Sequence, residues 1–173
     1  MSSSGHETLI RDLTAAAVHY CSTGALIPGG GTITLAGATD HARTTADIGS
    51  VRLCCPFPEP AALGKAGEVG AGLLTALRFD STIRSAAMVP CSPSILDVAE
   101  RILLDAAEYD RHGTPPGIST MDWGTAFCCR EGVPDLIYDR SADPFKIVIF
   151  AERPMDVVDE IIMLSRRSTN IEL

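Results

Sequence analysis

Positive charge is scarce in this 173-residue chain: 14 Lys and Arg stand against 22 Asp and Glu, a formal net charge of -8. Such a surface repels phosphate backbones and anionic lipid over most of its area, so neither nucleic acid nor a membrane is an expected partner. The single basic cluster, Arg166-Arg167, reads as the favourable placement of cations in the last turn of a helix. Long apolar runs are missing too, none approaching the roughly 18 residues that cross a bilayer. The opening Met1 to Glu7 has neither the basic flank nor the apolar centre of an export signal, which predicts a cytoplasmic protein. Metal-binding spacings are also absent. There is no Cys-x-x-Cys, and His6, His19, His41 and His112 are scattered without a His-x-His or His-Glu-x-x-His pattern, so no metal and no cofactor are expected.

Six cysteines are present, including the adjacent pairs Cys54-Cys55 and Cys128-Cys129. With no export signal they are expected to stay reduced and to act as small buried hydrophobes. At this length the chain predicts one domain, 1–173, with an ordered core over about 6–167, able to bury roughly two thirds of its unfolded surface.

Helical spacing of Leu9, Leu13, Ala16, Ala17 and Tyr20 predicts a first helix from about Glu7 to Ser22. After Gly29-Gly30-Gly31, strands are expected at Thr32 to Leu35 and Val51 to Cys54, the second stopped by a loop holding Pro56, Pro58 and Pro60. A helix follows from Glu68 to Phe79, then a short strand from Ala86 to Val89, then a helix capped by Ser92 and opened by Pro93. Propensity carries that helix through Asp105 to Glu108, although a strand running into Tyr109 is an alternative. Ser119 or Thr120 caps a helix through Cys129. Strands at Asp135 to Asp139 and Phe145 to Phe150 and a closing helix from Pro154 complete the pattern.

Several residues suggest a site. Gly64, Gly67, Gly70 and Gly72 surround a helix start, where free N–H groups favour an anion, although a close-packed loop fits the spacing equally well. Asp110-Arg111 and Asp139-Arg140 offer carboxylates and guanidinium groups for a charged heterocycle and a phosphate, against the alternative of exposed ion pairs. Trp123 is the one tryptophan, either a stacking face or a core plug.

Together these blocks resemble the ThiN-type thiamine-phosphate synthase domain, which also occurs fused to a pyrimidine kinase and to archaeal DNA-binding regulators. The resemblance rests on Leu26-Ile27-Pro28, Leu77-Arg78-Phe79-Asp80 with Ile83-Arg84-Ser85-Ala86, Tyr109-Asp110-Arg111, Ser119 to Gly124, and Pro134 to Arg140. It implies an aldolase-like, three-layer α/β/α fold with a mixed, mostly antiparallel sheet. It also implies a site for a small anionic metabolite, thiamine phosphate or its pyrimidine and thiazole phosphate precursors. On this resemblance Asp122 and Asp139 orient a ring, Met121 and Trp123 supply apolar faces, and Arg140 or Lys146 faces phosphate.

The chain departs from the family where catalysis is concerned. Ser50 stands at the family's arginine position and Glu68 at its histidine position; Gly29 replaces a glutamate, and the Gly-Lys-Glu-Pro run is shortened to Ser141 to Lys146. Joining a pyrimidine diphosphate to a thiazole phosphate builds negative charge on the departing diphosphate, which cations must stabilise. A carboxylate at Glu68 opposes that. The expectation is therefore a binding domain impaired in condensation. The alternatives are an active synthase using Arg78 or Lys65 as the replacement cation, or a regulatory, ligand-sensing or interaction module. A homodimer is the prior for its assembly, because symmetric pairs are common.

Overall fold

The computed structural model describes residues 2–26 and 31–171. Residues 27–30, which include part of the Leu26-Ile27-Pro28 block and the Gly29 departure, lie outside the described residues. The elements run in the order helix α1 (Ser2–Thr23), strand β1 (Thr34–Ala38), β2 (Ile48–Arg52), β3 (Ala62–Leu63), α2 (Gly67–Phe79), β4 (Ser85–Pro90), α3 (Ile95–Arg101), β5 (Ala106–Glu108), α4 (Thr120–Cys128), β6 (Leu136–Tyr138), β7 (Lys146–Ala151) and α5 (Pro154–Ile171).

The seven strands of the described residues form one sheet in the order β3-β2-β1-β4-β7-β6-β5. Only β5 and β6 pair in parallel; the other neighbours are antiparallel. The two edge strands are the shortest or nearly so, which limits the unpaired ladder open to other chains. Alternation along each strand sends side chains to opposite faces. On one face Leu35, Ala87, Val89, Ile147 and Ile149 pack with Leu13 of α1, Val98 of α3 and Val157 and Ile161 of α5. On the other, Ala36, Ile48, Ala86, Val148 and Phe150 pack with Val69 and Leu73 of α2 and Met121 of α4. This is the expected three-layer α/β/α arrangement with a mixed, mostly antiparallel sheet.

Glycines let the layers approach. A Cβ on Gly37 or Gly49 would fall 2.7 or 2.9 Å from side-chain carbons of Leu9 and Leu13, so small residues in β1 and β2 admit α1. A Cβ on Gly72 would meet Met121 Sδ at 3.2 Å, so this glycine sets the contact of α2 with α4.

Several boundaries differ from expectation. Helix α1 begins at Ser2 rather than Glu7, and β1 and β2 are shifted to Thr34–Ala38 and Ile48–Arg52. Strand β3, two residues long, follows the proline run, where the sequence pattern predicts only loop. Regular helix in α3 starts only at Ile95, while Ser92 Oγ accepts the Ser94 N–H at 3.4 Å and caps the turn ahead of it. The helix stops at Arg101 and 106–108 is strand, not helix. Leu103 takes a left-handed conformation (φ 64) there, with Leu103 N–H on the Glu100 carbonyl and Leu104 N–H on the Ala99 carbonyl. That is the Schellman pattern, built without its usual glycine.

The cysteine expectation is also corrected. Cys21, at the end of α1, and Cys55, after β2, form a disulfide with Cα atoms 5.1 Å apart. Their pairing joins residues 34 apart, a proximity that composition does not reveal. Cys54, Cys91, Cys128 and Cys129 are free, and Cys91 and Cys129 are buried as expected.

Candidate functional site

At the end of the sheet where β6 stops and β7 begins, the chain gathers charged groups. Asp139 is buried, with a side chain 3% exposed, just past β6. Its Oδ1 accepts from the Ser141 N–H (2.9 Å) and Ser141 Oγ (2.6 Å), and its Oδ2 from Arg111 Nε (2.6 Å) and the Arg111 N–H (3.3 Å). Four bonds fill the acceptor sites of a carboxylate. Burial pushes the Asp139 carboxyl up, but the bonds from Ser141 and Arg111 outweigh it and hold the group below its ordinary value. Those bonds tie the 111–113 turn to the 139–142 turn. What Asp139 presents is Arg111, whose terminal guanidinium nitrogens have no partner among the described residues.

Lys146 opens β7 on the α2 side of the sheet, and its Nζ donates to Glu68 Oε2 at 2.9 Å. Glu68 sits in the first turn of α2, which is entered through Gly64 and Gly67, both with positive φ (74 and 59). The glycine lead-in thus serves the sharp entry to a helix whose first-turn side chain is already paired with a lysine. Ser50 is buried on β2 in register with Ala36 and Ala62, and alternation with Ile48 turns it toward the same α2 face. Ser50, Glu68 and Lys146 therefore share one face, and the lysine is the one cation among them.

The other expected residues separate from this group. Arg140 stacks over the Tyr138 ring (5.6 Å to the centroid) and lies 3.5 Å from Glu108 Oε1. Tyr138 belongs to the opposite, α1/α3/α5 face, packing near Phe145, so Arg140 is not brought beside Lys146. Asp110 pairs with His112, accepting from its N–H at 3.0 Å and contacting Nδ1 at 2.9 Å, rather than with Arg111. Met121 is buried against α2, beside Gly72. Gly124, part of the same block, receives the Tyr109 ring so closely that a Cβ would lie 2.5 Å from Tyr109 Cδ2. Burial, with the Asp139 charge next, pushes the Tyr109 hydroxyl up to about 12.

Asp122 and Trp123 line a groove of about 810 Å³ between α2 and α4, together with Arg43, Thr75, Arg78 and Ile118. None of Glu68, Arg111, Asp139 and Lys146 lines it. Ser119 caps α4 by accepting the Asp122 N–H at 3.2 Å, as expected. Thr75 Oγ1 donates to Asp122 Oδ1 at 3.2 Å. Arg78 is thus placed in the groove, away from the Lys146 cluster, and is not positioned to replace a cation there. Sequence reasoning misses Ser141 and Arg43. A serine two residues after an aspartate is the available signal for the first; nothing marks the second.

Residues 12–163 match the family described as thiamine-phosphate synthase ThiN. The chain belongs to that family. A curated relative, the bifunctional thiamine biosynthesis protein ThiDN of Methanocaldococcus jannaschii, is 32% identical over 85 residues, which is 46% of this chain and 19% of the relative. The match thus spans about a fifth of that longer protein. Among solved structures, the C-terminal domain of protein MJ0236 superposes with a TM-score of 0.83 at 21% identity, covering 95% of this chain and 97% of that one. The C-terminal domain of a phosphomethylpyrimidine kinase gives 0.76 at 23% identity, with 92% and 99% covered. A sugar-phosphate aldolase from Thermotoga maritima gives 0.51 at 12% identity, with 96% and 94% covered. These likenesses establish the aldolase-like ThiN fold. No described helix is long and apolar enough to cross a membrane. Among the described residues no group of three or more His, Cys, Asp or Glu is placed to hold a metal.

Proposed function

We propose that this ThiN domain binds thiamine phosphate or its pyrimidine or thiazole phosphate precursors at the sheet end, and does not condense the precursors efficiently. The observation that carries the reading is the Lys146–Glu68 pair at 2.9 Å. Among the three positions Ser50, Glu68 and Lys146, the one cation is paired with a carboxylate, and Ser50 adds only a neutral hydroxyl. Charge developing on a departing diphosphate needs preorganised cations, worth about 3–4 kcal/mol for one well-placed donor. A lysine held by glutamate must first break that pair.

Binding asks less. The terminal nitrogens of Arg111, held in orientation by Asp139, are available to a phosphate, and guanidinium groups suit that geometry. A monophosphate can also compete with Glu68 for Lys146. Incubation with hydroxymethylpyrimidine diphosphate and thiazole phosphate, assayed for thiamine phosphate and diphosphate, tests the catalytic half. No product above background is expected, and turnover near roughly 1 per second, within the ordinary enzyme range, overturns it. The binding half is tested by melting: thiamine phosphate at 100 times its dissociation constant adds about 2.7 kcal/mol of stability.

A further inference from the structure

The groove between α2 and α4 is not explained by the sheet-end site. Its volume, about 810 Å³ against 310 to 480 Å³ for three other described cavities, falls in the range of roughly 300–1,000 Å³ that holds small ligands. Its lining is unusual for so acidic a chain. Arg43, from the turn before β2, and Arg78, from the last turn of α2, both reach it. Neither makes an ion pair among the described residues, so both are free to meet an anion in the groove. The one carboxylate in the lining, Asp122, is held by Thr75. Two unneutralised guanidinium groups in one groove favour a multiply charged phosphate, which each can grip through paired N–H donors.

The same groove offers a ring surface. Trp123 is half-buried in its wall, with Phe127 stacked against it at 5.2 Å and an interplanar angle of 30°. The apolar floor comes from Ala71 and Leu74 of α2 and Ala126 of α4. A flat heterocycle packed against the indole finds a carboxylate acceptor, Asp122, and the two arginines in the same lining.

We infer that this groove is a second binding site, distinct from the sheet-end site, for a planar heteroaromatic phosphate of the nucleoside diphosphate type. Trp123 is the only tryptophan, so its emission reports on the groove and on the adjoining 111–113 turn, whose Gly113 lies against the indole; the arginine substitutions separate the two. Adenosine diphosphate titrated into the intact chain is expected to change that emission saturably. Adenosine and inorganic phosphate, each supplying half of the ligand, bind at least about tenfold more weakly, the equivalent of 1.4 kcal/mol. Arg43→Gln and Arg78→Gln each weaken the diphosphate by about tenfold while leaving the melting temperature unchanged.

The inference is overturned by no saturable change at about 5 mM diphosphate, a concentration that fills any site of millimolar affinity. It is overturned equally by a change that the doubly substituted R43Q/R78Q variant retains in full. Thiamine phosphate serves as the second arm. If it displaces the diphosphate in an arginine-dependent way, the groove stands and takes thiamine phosphate as well. Thiamine phosphate binding that survives R43Q/R78Q but is lost in Lys146→Met belongs to the sheet end, so either site can fail without the other.

Discussion

Lys146 and Glu68, 78 residues apart in sequence, meet at 2.9 Å and join the start of β7 to the first turn of α2. Their side chains are 30% and 64% exposed, so the pair adds little to stability. Its effect is on what Lys146 is free to hold.

Glu68→Gln removes the competing charge and leaves the helix start intact. Affinity for thiamine phosphate should rise, by about two- to fivefold in a calorimetric titration, as expected for releasing a partly exposed cation worth up to about 1 kcal/mol. Unchanged affinity places the phosphate elsewhere.

Asp139→Asn keeps the shape of the side chain but confronts the donors of Ser141 and Arg111 with an amide N–H. A loss of about 1–3 kcal/mol is expected, the usual result of leaving a buried charged network unsatisfied. The carboxyl titrates below its ordinary value of 3.8 in the folded protein, so its contribution is present in full above that value. It is lost as pH falls through the lower folded value. Denaturant unfolding of both proteins should therefore show a gap at neutral pH that closes in acid.

Glu160, on α5, behaves in the opposite sense. Burial first, then the charges of Asp135 and Asp156, push its carboxyl from 4.5 up to about 7, and its Oε2 has no partner among the described residues. The folded state holds the proton more tightly than the unfolded chain, so stability declines as pH rises between 4.5 and about 7. A carboxyl raised by one pH unit on folding loses about 1.4 kcal/mol of stability once it ionises. Glu160→Gln should therefore stabilise by about 1–3 kcal/mol above pH 7 and by almost nothing below pH 4.5. Equal stabilities at all pH values contradict this.

Leu103 is 89% exposed and left-handed at the end of α3. Leu103→Gly removes about 1–2 kcal/mol of backbone strain against a conformational cost of roughly 0.5–1 kcal/mol. A net gain of up to about 1 kcal/mol is expected in thermal unfolding, and a loss shows that the Leu103 side chain contributes contacts.

That leucine also illustrates what is legible in the sequence. Apolar spacing and capping residues locate the five described α-helices, and propensity together with turn residues locates most strands, because those signals are local. The stop of α3 is hidden because no glycine marks it, and β3 because two residues beyond a proline run carry no pattern. The pairing of Cys21 with Cys55 escapes a reading that expects reduced thiols, since their approach depends on α1 lying across β2. The candidate site is legible as residue types but not as a grouping. Asp139, Arg111 and Lys146 come together at the sheet end, while Asp122 and Trp123 lie in another groove and Arg140 on the opposite face. Those separations follow from strand alternation and from which helices cover each face, relations between distant segments that spacing along the chain does not contain.

The central claim is that the sheet end holds a phosphate through Arg111 and Lys146. Its most direct test is calorimetric titration of the intact chain and of Arg111→Gln with thiamine phosphate. The account predicts saturable binding weakened about tenfold or more by the substitution, as for loss of a charge-assisted contact. No heat at millimolar ligand, or equal affinity in the two proteins, contradicts it.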